Sequence, residues 1–224
     1  MSFQYPNHFK LPEGERNYFA EQNIYTWECL TSNLIENKEE NESRVAIEIG
    51  SLHGASAVWL LENFIKRPTD TLHCIDINQT EYLKNNLAPY KNVYVELGLS
   101  GNVLCDLWSR YKRPVADLIY IDGSHLAKHV LEDAVLSWKL LRVGGVMIFD
   151  DYGWGTNGNV DERPRTGIDG FRFAYQKHYE ILQSYCDNVN GYQLYLQKIP
   201  YDISDDQLEG NYAVNNPFLN KENV

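Results

Sequence analysis

The sequence predicts an α/β fold, with a doubly wound and mostly parallel sheet that carries helices on both faces. Three observations predict it. Short apolar runs alternate five times with helix-forming segments. These runs are apolar at almost every position, which is typical of parallel strands buried on both faces. Two further strand-like runs follow, joined by D-N-V-N-G, a sequence typical of a hairpin turn.

The segment before the alternation is predicted to lie outside the sheet. Residues 1–16 are polar with two prolines and are expected to form an arm. Residues 17–35 place large apolar side chains at helical spacing, which predicts a helix. Residues 36–44 are a charged linker that is expected to be solvated.

The alternating elements follow in chain order. The apolar runs predict strands at residues 45–50, 71–77, 93–97, 117–121 and 146–149. The amphipathic segments between them predict helices at residues 55–66, 80–87, 103–111 and 126–141. Gly144 and Gly145 are expected to end the last of these helices, as glycine often does at a C-cap.

After the fifth strand the chain is predicted to form a lid and then complete the sheet. Residues 153–170 are a long Gly-rich segment, and a loop of this length in a compact domain is usually functional. A helix and two strands are expected after it, at residues 171–179, 180–186 and 192–199. The predicted organisation is an N-terminal arm and helix, one domain and a polar tail, at residues 1–42, 43–200 and 201–224.

Composition narrows the function classes. Lys and Arg total 20 against 31 Asp and Glu, and a net charge of −11 disfavours nucleic-acid and anionic membrane partners. No stretch is apolar and long enough for a membrane span, and the N-terminus has no apolar signal core. The four cysteines lie far apart without C-x-x-C spacing, which is typical of reduced thiols. We therefore expect a soluble, cytoplasmic protein.

Every predicted parallel strand ends in a small or acidic residue. Ligands of open parallel sheets bind outside the carboxyl ends of the strands, so these positions are the candidate site. In strand order they are Glu48, Gly50 and Gly54; Asp76; Gly98 and Ser100; Asp122, Gly123 and His125; and Asp150 with Asp151.

These residues indicate a chemistry. A carboxylate at the position of Asp76 can accept both hydroxyls of a ribose. Asp122, Asp150 and Asp151 offer oxygen donors that suit a hard divalent ion such as Mg²⁺. His125, three residues beyond Asp122, could take a proton near neutral pH.

Each position also has a simpler interpretation. Gly50 and Gly54 could only form a tight turn, Asp76 could serve turn chemistry, and His125 could be a plain first-turn residue of a helix. Asp150 and Asp151 could be a solvated pair, although adjacent carboxylates repel each other without a cation. Five such coincidences at five successive strand ends favour the functional interpretation.

The first turn distinguishes between cofactors. It reads E-I-G-S-L-H-G-A-S, with glycines four residues apart, and lacks the G-x-G-x-x-G that cradles a pyrophosphate. Glu48 would repel a pyrophosphate and attract an ammonium or sulfonium group. The turn therefore favours a cationic cofactor over NAD.

At these residues the sequence resembles the class I S-adenosylmethionine-dependent methyltransferases, a Rossmann-like family. The resemblance covers residues 43–199 and is carried by E-I-G-S-L-H-G-A-S, C-I-D-I-N, G-L-S, I-D-G-S-H and I-F-D-D. It is strongest to the metal-dependent O-methyltransferase branch, which includes catechol and macrocin O-methyltransferase-like enzymes. It implies a sheet of seven strands, with the last strand inserted antiparallel.

The resemblance also implies roles for single residues. Glu48, Gly50 and Ser51 would hold the methionine part of S-adenosylmethionine, and Asp76 its ribose. Gly98 and Ser100 would flank the adenine. The implied cofactor-binding set is completed by Gly54, Ser56, Asp122 and Gly123.

Catalytic and metal-binding roles follow in the same way. Asp122, Asp150 and Asp151 fall on the metal ligands, and Asp122 and His125 on the catalytic positions. Catechol-type enzymes have Asn in place of Asp151 and Lys in place of His125, so this chain departs from them at both. The aspartate is found in the sugar and antibiotic branch.

The implied reaction is methyl transfer from S-adenosylmethionine to a hydroxyl of a small molecule, with divalent-metal assistance. The macrocin-like resemblance favours a sugar or a glycosylated metabolite, and a catechol or phenol is the alternative acceptor. A ligand-binding scaffold without catalysis and an NAD-dependent oxidoreductase are the alternatives from other classes. The intact acidic trio argues against the first, and Glu48 against the second. Whether the chain forms a homo-oligomer stays open.

Overall fold

A seven-stranded sheet runs through the centre of the computed structural model, which describes residues 3–19, 23–36, 42–155, 157–182 and 192–200. Its strands are β1 (Val45–Ile49), β2 (Thr71–Asp76), β3 (Val93–Leu97), β4 (Ala116–Ile121), β5 (Leu141–Phe149), β6 (Tyr179–Ile181) and β7 (Leu194–Lys198). They lie in the order β3-β2-β1-β4-β5-β7-β6. β1 to β5 pair in parallel, and β7 is antiparallel to both of its neighbours, so the predicted fold class is confirmed.

Helices cover both faces of the sheet. They are α1 (Ile24–Glu36), α2 (Ala55–Asn63), α3 (Glu81–Leu87), α4 (Ser100–Tyr111), α5 (Ala127–Leu140) and α6 (Pro164–Ala174). Alternate residues of β4 enter opposite cores: Leu118 and Tyr120 pack with α1 and α2, and Ile119 and Ile121 pack with α4 to α6. Because β1 lies between β2 and β4, the strand order reverses there, and the crevice at this switch point is where such sheets bind ligands.

The predicted role of Gly144 and Gly145 is wrong, because α5 ends at Leu140 and both glycines lie inside β5. Leu141 is already extended and pairs with Ala116. The ammonium of Lys198 donates to the carbonyls of Trp138 and Leu141, both at 2.8 Å, and so satisfies the end of the helix. A Cβ on Gly145 would stand 3.0 Å from the Ala116 carbonyl oxygen, so glycine lets β4 approach β5.

The predicted loop at 153–170 is partly helical, and the helix predicted at 171–179 begins earlier, at Pro164. Proline suits a first helical position, and a short 3₁₀ turn at Val160–Glu162 precedes it. Gly167 in α6 packs directly on α5, where a Cβ would stand 2.1 Å from the Ala127 carbonyl oxygen. Gly167, which indicates a loop in the sequence, therefore serves close helix packing.

Other predicted boundaries differ by less. Tyr18 and Phe19 are helical within the range predicted for the first helix, residues 20–22 lie outside the described ranges, and α1 runs from Ile24. α2 ends at Asn63, and α4 begins at Ser100. The predicted hairpin turn, most of the linker at 36–44 and the tail at 201–224 fall outside the described residues. Among the helices that are described, none is long and apolar enough to cross a membrane.

Candidate functional site

The predicted site residues come together at the carboxyl edge of the sheet. Asp76 is the last residue of β2, Gly50 follows β1, and Asp122 follows β4. Asp150 and Asp151 follow β5, Gly98 follows β3, and Ser100 is the first residue of α4. The parallel pairing of these strands brings their ends to one edge, as the sequence predicts.

Two glycines allow the loops after β1 and β4 to touch. Gly50 has a φ of +86°, and a Cβ there would stand 2.0 Å from the carbonyl oxygen of Asp122. Gly123, from the other loop, lies against Ile49, where a Cβ would meet a side-chain carbon at 3.1 Å. These two glycines are therefore required by the close approach of the two loops.

Glu48 is fully buried beneath the first turn. The Ser51 hydroxyl donates to its Oε2 at 2.5 Å, and the Ser56 hydroxyl donates to its Oε1. Burial raises the pKa of Glu48 to about 6, and the two hydroxyl donors partly oppose this rise. Ser51 and Ser56 thus contact Glu48 itself, an arrangement that the motif alone does not reveal.

The side chain of Asp76 holds the first turn by accepting hydrogen bonds from backbone amides of that turn. Its Oδ2 accepts hydrogen bonds from the amides of Ser51 at 2.9 Å and Leu52 at 3.0 Å, and its Oδ1 accepts one from Asn78 at 3.0 Å. Hydrogen bonding to backbone amides of the turns therefore accounts for part of the role of Asp76. The next residue, Ile77, is 77% exposed, and Leu52, Leu97 and Leu99 are also exposed at these strand ends. This apolar rim beside a carboxylate fits the adenosine of a nucleoside cofactor.

Ser100 and Gly98 lie at the beginning of α4. The Gly98 amide donates to the Asp76 carbonyl oxygen at 2.9 Å. Ser100 lies close to Asp133 of α5, a buried carboxyl group that the sequence does not single out. Burial raises the pKa of Asp133 to about 6, and the Ser100 hydroxyl lowers it.

Asp122 and Asp150 converge on one hydroxyl group. Tyr120 of β4 donates its hydroxyl to Asp150 Oδ2 and contacts Asp122 Oδ2 at 3.0 Å. Gln193, just before β7, donates from its side-chain nitrogen to Asp150 Oδ2 at 2.9 Å. Burial, then the charges of Asp150 and Asp151, raise the pKa of Asp122 well above its usual range. The sequence analysis missed Tyr120 and Gln193, and a polar residue inside an apolar strand is the signal that points to Tyr120.

Asp151 turns toward His125. It has a φ of +57°, and its Oδ2 lies 2.7 Å from His125 Nε2. The imidazole stacks on the Trp154 ring, with centroids 4.4 Å apart. Burial and Asp150 raise the pKa of Asp151, and His125 lowers it. His125 is therefore held between a carboxylate and an indole at the rim of the acidic group.

The donor set suits a divalent cation in part. Asp122 and Asp150 offer hard oxygen ligands, and both carboxyl groups contact the same Tyr120 hydroxyl. A bound cation would relieve the repulsion between these two carboxyl groups. Asp151 instead points to His125. Within the described ranges, no three or more His, Cys, Asp or Glu side chains are grouped to hold a metal ion. The residues thus fit Mg²⁺ by chemistry, with two of the predicted ligands brought together.

The arginines of the predicted lid are bonded within it. Arg163 donates from Nε to the Gly158 carbonyl oxygen at 3.0 Å. Arg165 donates to Asp169 at 3.3 Å and lies over the Tyr152 ring. Trp154, through its stacking on His125, is the part of this segment that reaches the acidic group.

The central part of the chain is similar to a known protein family. Residues 47–152, just under half of it, match a family model described as a methyltransferase domain. No curated protein matches the sequence significantly.

Solved structures share the fold at low identity. A protein of Corynebacterium glutamicum is 20% identical, with 81% of this chain and 83% of that chain covered at a TM-score of 0.59. An O-methyltransferase from Bacillus cereus, solved with S-adenosylhomocysteine, is 19% identical, with 87% and 84% covered at 0.58. The MycE methyltransferase of the mycinamycin pathway, solved with Mg, S-adenosylhomocysteine and mycinamycin VI, is 18% identical at 0.57. The match covers 83% of this chain and 50% of MycE.

Proposed function

We propose that the chain, whose residues 47–152 match a methyltransferase domain, is a class I S-adenosylmethionine-dependent enzyme that methylates a hydroxyl group of a small molecule. The observation that carries the proposal is the convergence of Asp122 and Asp150 on Tyr120, at the carboxyl edge of that domain. These carboxyl groups lie at the carboxyl edge of the sheet, where a methyl acceptor can approach a cofactor that is bound at the first turn.

Cofactor binding is assigned to the edge formed by β1, β2 and β3. Asp76 already accepts three amide hydrogen bonds and has roughly one lone-pair direction left, which accepts a ribose hydroxyl, and Gly98 and Ser100 border the adenine. Gly50, Ser51, Gly54, Ser56 and Gly123 shape the turn and the loop against it. Glu48 contributes negative charge beneath the methionine end, which favours a sulfonium group. S-adenosylmethionine supplies the methyl group.

Activation of the acceptor is assigned to the edge formed by β4 and β5. His125 accepts the hydroxyl proton, and Asp151 orients its ring and stabilises the imidazolium that forms. Trp154 covers the imidazole and excludes water from that side. Asp122 and Asp150 would hold a divalent cation, which would supply positive charge that favours the ionised acceptor. The main contribution of the site is alignment of oxygen, methyl carbon and sulfur.

A sugar or a glycosylated metabolite is the favoured acceptor class. The support is the resemblance of I-D-G-S-H and I-F-D-D to the macrocin-like branch, together with a metabolite-bound and Mg-bound methyltransferase among the similar folds. A panel of sugar, glycoside, catechol and phenol acceptors with labelled S-adenosylmethionine tests the class. Labelling confined to catechols would overturn the sugar assignment.

Substitution of the acidic and basic groups tests the mechanism. Asp150→Ala and His125→Gln are each expected to reduce methyl transfer by about 10²-fold to 10⁴-fold, because one removes the cation's ligand and the other the proton acceptor. Calorimetry should find S-adenosylhomocysteine binding within about twofold of the unsubstituted protein for both, since neither residue lies on the cofactor edge. Asp106→Ala, at an exposed carboxylate of α4, is the control and should match the unsubstituted protein. A protein that binds NAD and neither S-adenosyl compound would contradict the proposal.

A further inference from the structure

Gln193 is a buried amide that connects the acidic group to the first helix. It is 2% exposed and lies one residue before β7. Its side chain contacts Trp27, Tyr195, Tyr120 and Asp150. None of the roles proposed above uses it.

The direction of this amide is set by its neighbours. The Trp27 indole can only donate, and its Nε1 lies 3.0 Å from Gln193 Oε1. The Tyr195 hydroxyl donates to the same oxygen. The amide nitrogen must therefore face the other way, toward Asp150 Oδ2 at 2.9 Å and the Tyr120 hydroxyl at 3.4 Å.

Asp150 is consequently held at both of its oxygens. Oδ2 accepts hydrogen bonds from Gln193 and Tyr120, and Oδ1 accepts one from the Asp151 amide at 2.8 Å. A carboxylate has about four lone-pair directions, so these three donors leave roughly one free. All three donors are neutral groups.

We infer that Gln193 is a positioning residue, which fixes the Asp150 carboxylate so that its remaining lone pair faces the reaction space. The inference rests on the proposed function, in which Asp150 is a ligand of the assisting cation. Trp27 sets the orientation of the amide, and in this way α1 is connected to the site.

A double-mutant cycle tests the contact without any metal. Gln193→Met keeps the length of the side chain and removes its amide oxygen and nitrogen. The denaturation midpoint is measured in the presence of a chelator, for Gln193→Met alone and for Gln193→Met combined with Asp150→Ala. We expect the shift in denaturation midpoint caused by Gln193→Met to fall to less than about half in the Asp150→Ala background. Gln197→Met is the matched control, because Gln197 lies on β7 and donates to the Gly144 carbonyl oxygen at 3.0 Å. The shift in denaturation midpoint caused by Gln197→Met should be the same with Asp150 and with Ala at position 150. If Gln193→Met also causes the same shift in both backgrounds, the inference is overturned.

Metal affinity tests the consequence for the site. Calorimetry with Mn²⁺ alone should show binding to Gln193→Met weakened about 10-fold to 100-fold, as is typical when a residue that orients a ligand is lost. S-adenosylhomocysteine binding should stay within about twofold, and Gln197→Met should leave both affinities unchanged. Unchanged Mn²⁺ affinity in Gln193→Met would overturn the inference.

The two experiments separate this inference from the proposed function. An unsubstituted protein that binds S-adenosylhomocysteine and no Mn²⁺ contradicts the cation in the proposed function. The cycle then still decides whether Gln193 holds Asp150. An additive cycle in a protein that binds Mn²⁺ overturns the positioning role alone.

Discussion

Four buried carboxyl groups differ in what compensates their charge. Asp70 lies beside Arg44 and Arg67, and Asp117 accepts from Arg142 Nε at 2.5 Å. Glu48 and Asp133 have hydroxyl donors instead, and burial raises the pKa of each to about 6. Hydroxyls compensate a buried charge less than guanidinium groups do, so these two acids are costly to ionise.

Asp133 predicts a pH-dependent stability. Its pKa is about 6 in the folded chain against an ordinary value of 3.8, so the folded state binds the proton more tightly. The resulting stabilisation is complete below about pH 4 and is lost as the pH rises through 6. We expect Asp133→Asn to be more stable than the unsubstituted protein by up to about 3 kcal/mol at pH 8. Chemical denaturation at pH 4 and pH 8 measures this difference.

The advantage should vanish near pH 4, because a protonated aspartate and an asparagine are both neutral. Asp106→Asn, at an exposed carboxylate of α4, is the control and should change little at either pH. An Asp133→Asn protein that is equally destabilised at both pH values would contradict the predicted cost of ionising Asp133.

The sequence predicts those site residues whose position depends on the strand pattern alone. Asp76, Asp122 and Asp150 are found at one edge because each directly follows or ends a parallel strand. The contact between Tyr120 and Gln193 could not be predicted. They are 73 residues apart, and they meet only because β7 pairs antiparallel with β5.

At the scale of elements, the contact between α5 and α6 depends on one glycine. A Cβ on Gly167 would stand 2.1 Å from the Ala127 carbonyl oxygen and 3.1 Å from the Leu131 amide nitrogen. Both atoms belong to the backbone of α5, so they cannot rotate away as a side chain could. Gly167→Ala should therefore lower the free energy of unfolding by about 1–3 kcal/mol, measured by chemical denaturation.

Gly170 of the same helix is the matched control. A Cβ there would meet only Leu131 side-chain carbons, at 3.9 and 4.0 Å. Gly170→Ala should stabilise the protein by about 0.5–1 kcal/mol, because alanine favours a helix more than glycine does. Two alanine substitutions three residues apart are thus expected to have opposite signs. Equal stabilisation by both would contradict the close packing of α6 on α5.

The elements that the sequence analysis misplaces are those in which glycine serves tertiary packing. Gly145 and Gly167 both look like breakers of regular structure in the sequence. In the fold each lies inside a strand or helix, where a neighbouring backbone leaves no room for a Cβ. A single sequence cannot distinguish these two uses of glycine, because the neighbouring backbone comes from elsewhere in the chain.

At the scale of the whole molecule, the N-terminal arm is bonded to the loop that the proposed function assigns to the cofactor. Asn86 of α3 is fully buried and exchanges two hydrogen bonds with the Lys10 backbone, both at 2.8 Å. Its side-chain nitrogen also donates to the His53 carbonyl oxygen at 2.9 Å. His53 in turn lies 2.9 Å from Glu15 of the arm. The predicted arm is thus a structural part of the fold, although it precedes the sheet by some 30 residues.

Asn86→Ala should therefore affect both stability and cofactor binding. It removes the bonds that join the arm to His53, and we expect a loss of about 1–3 kcal/mol in the free energy of unfolding. Because the loop carrying Gly50 and Gly54 loses an anchor, S-adenosylhomocysteine affinity should fall by about 3-fold to 10-fold in calorimetry. Asn92→Ala is the control, since Asn92 donates to the Ile65 carbonyl oxygen at 3.0 Å, away from this loop. It should reduce stability and leave the affinity unchanged. If both substitutions lower the affinity equally, the loss follows from general destabilisation, and the arm has no specific effect on the cofactor loop.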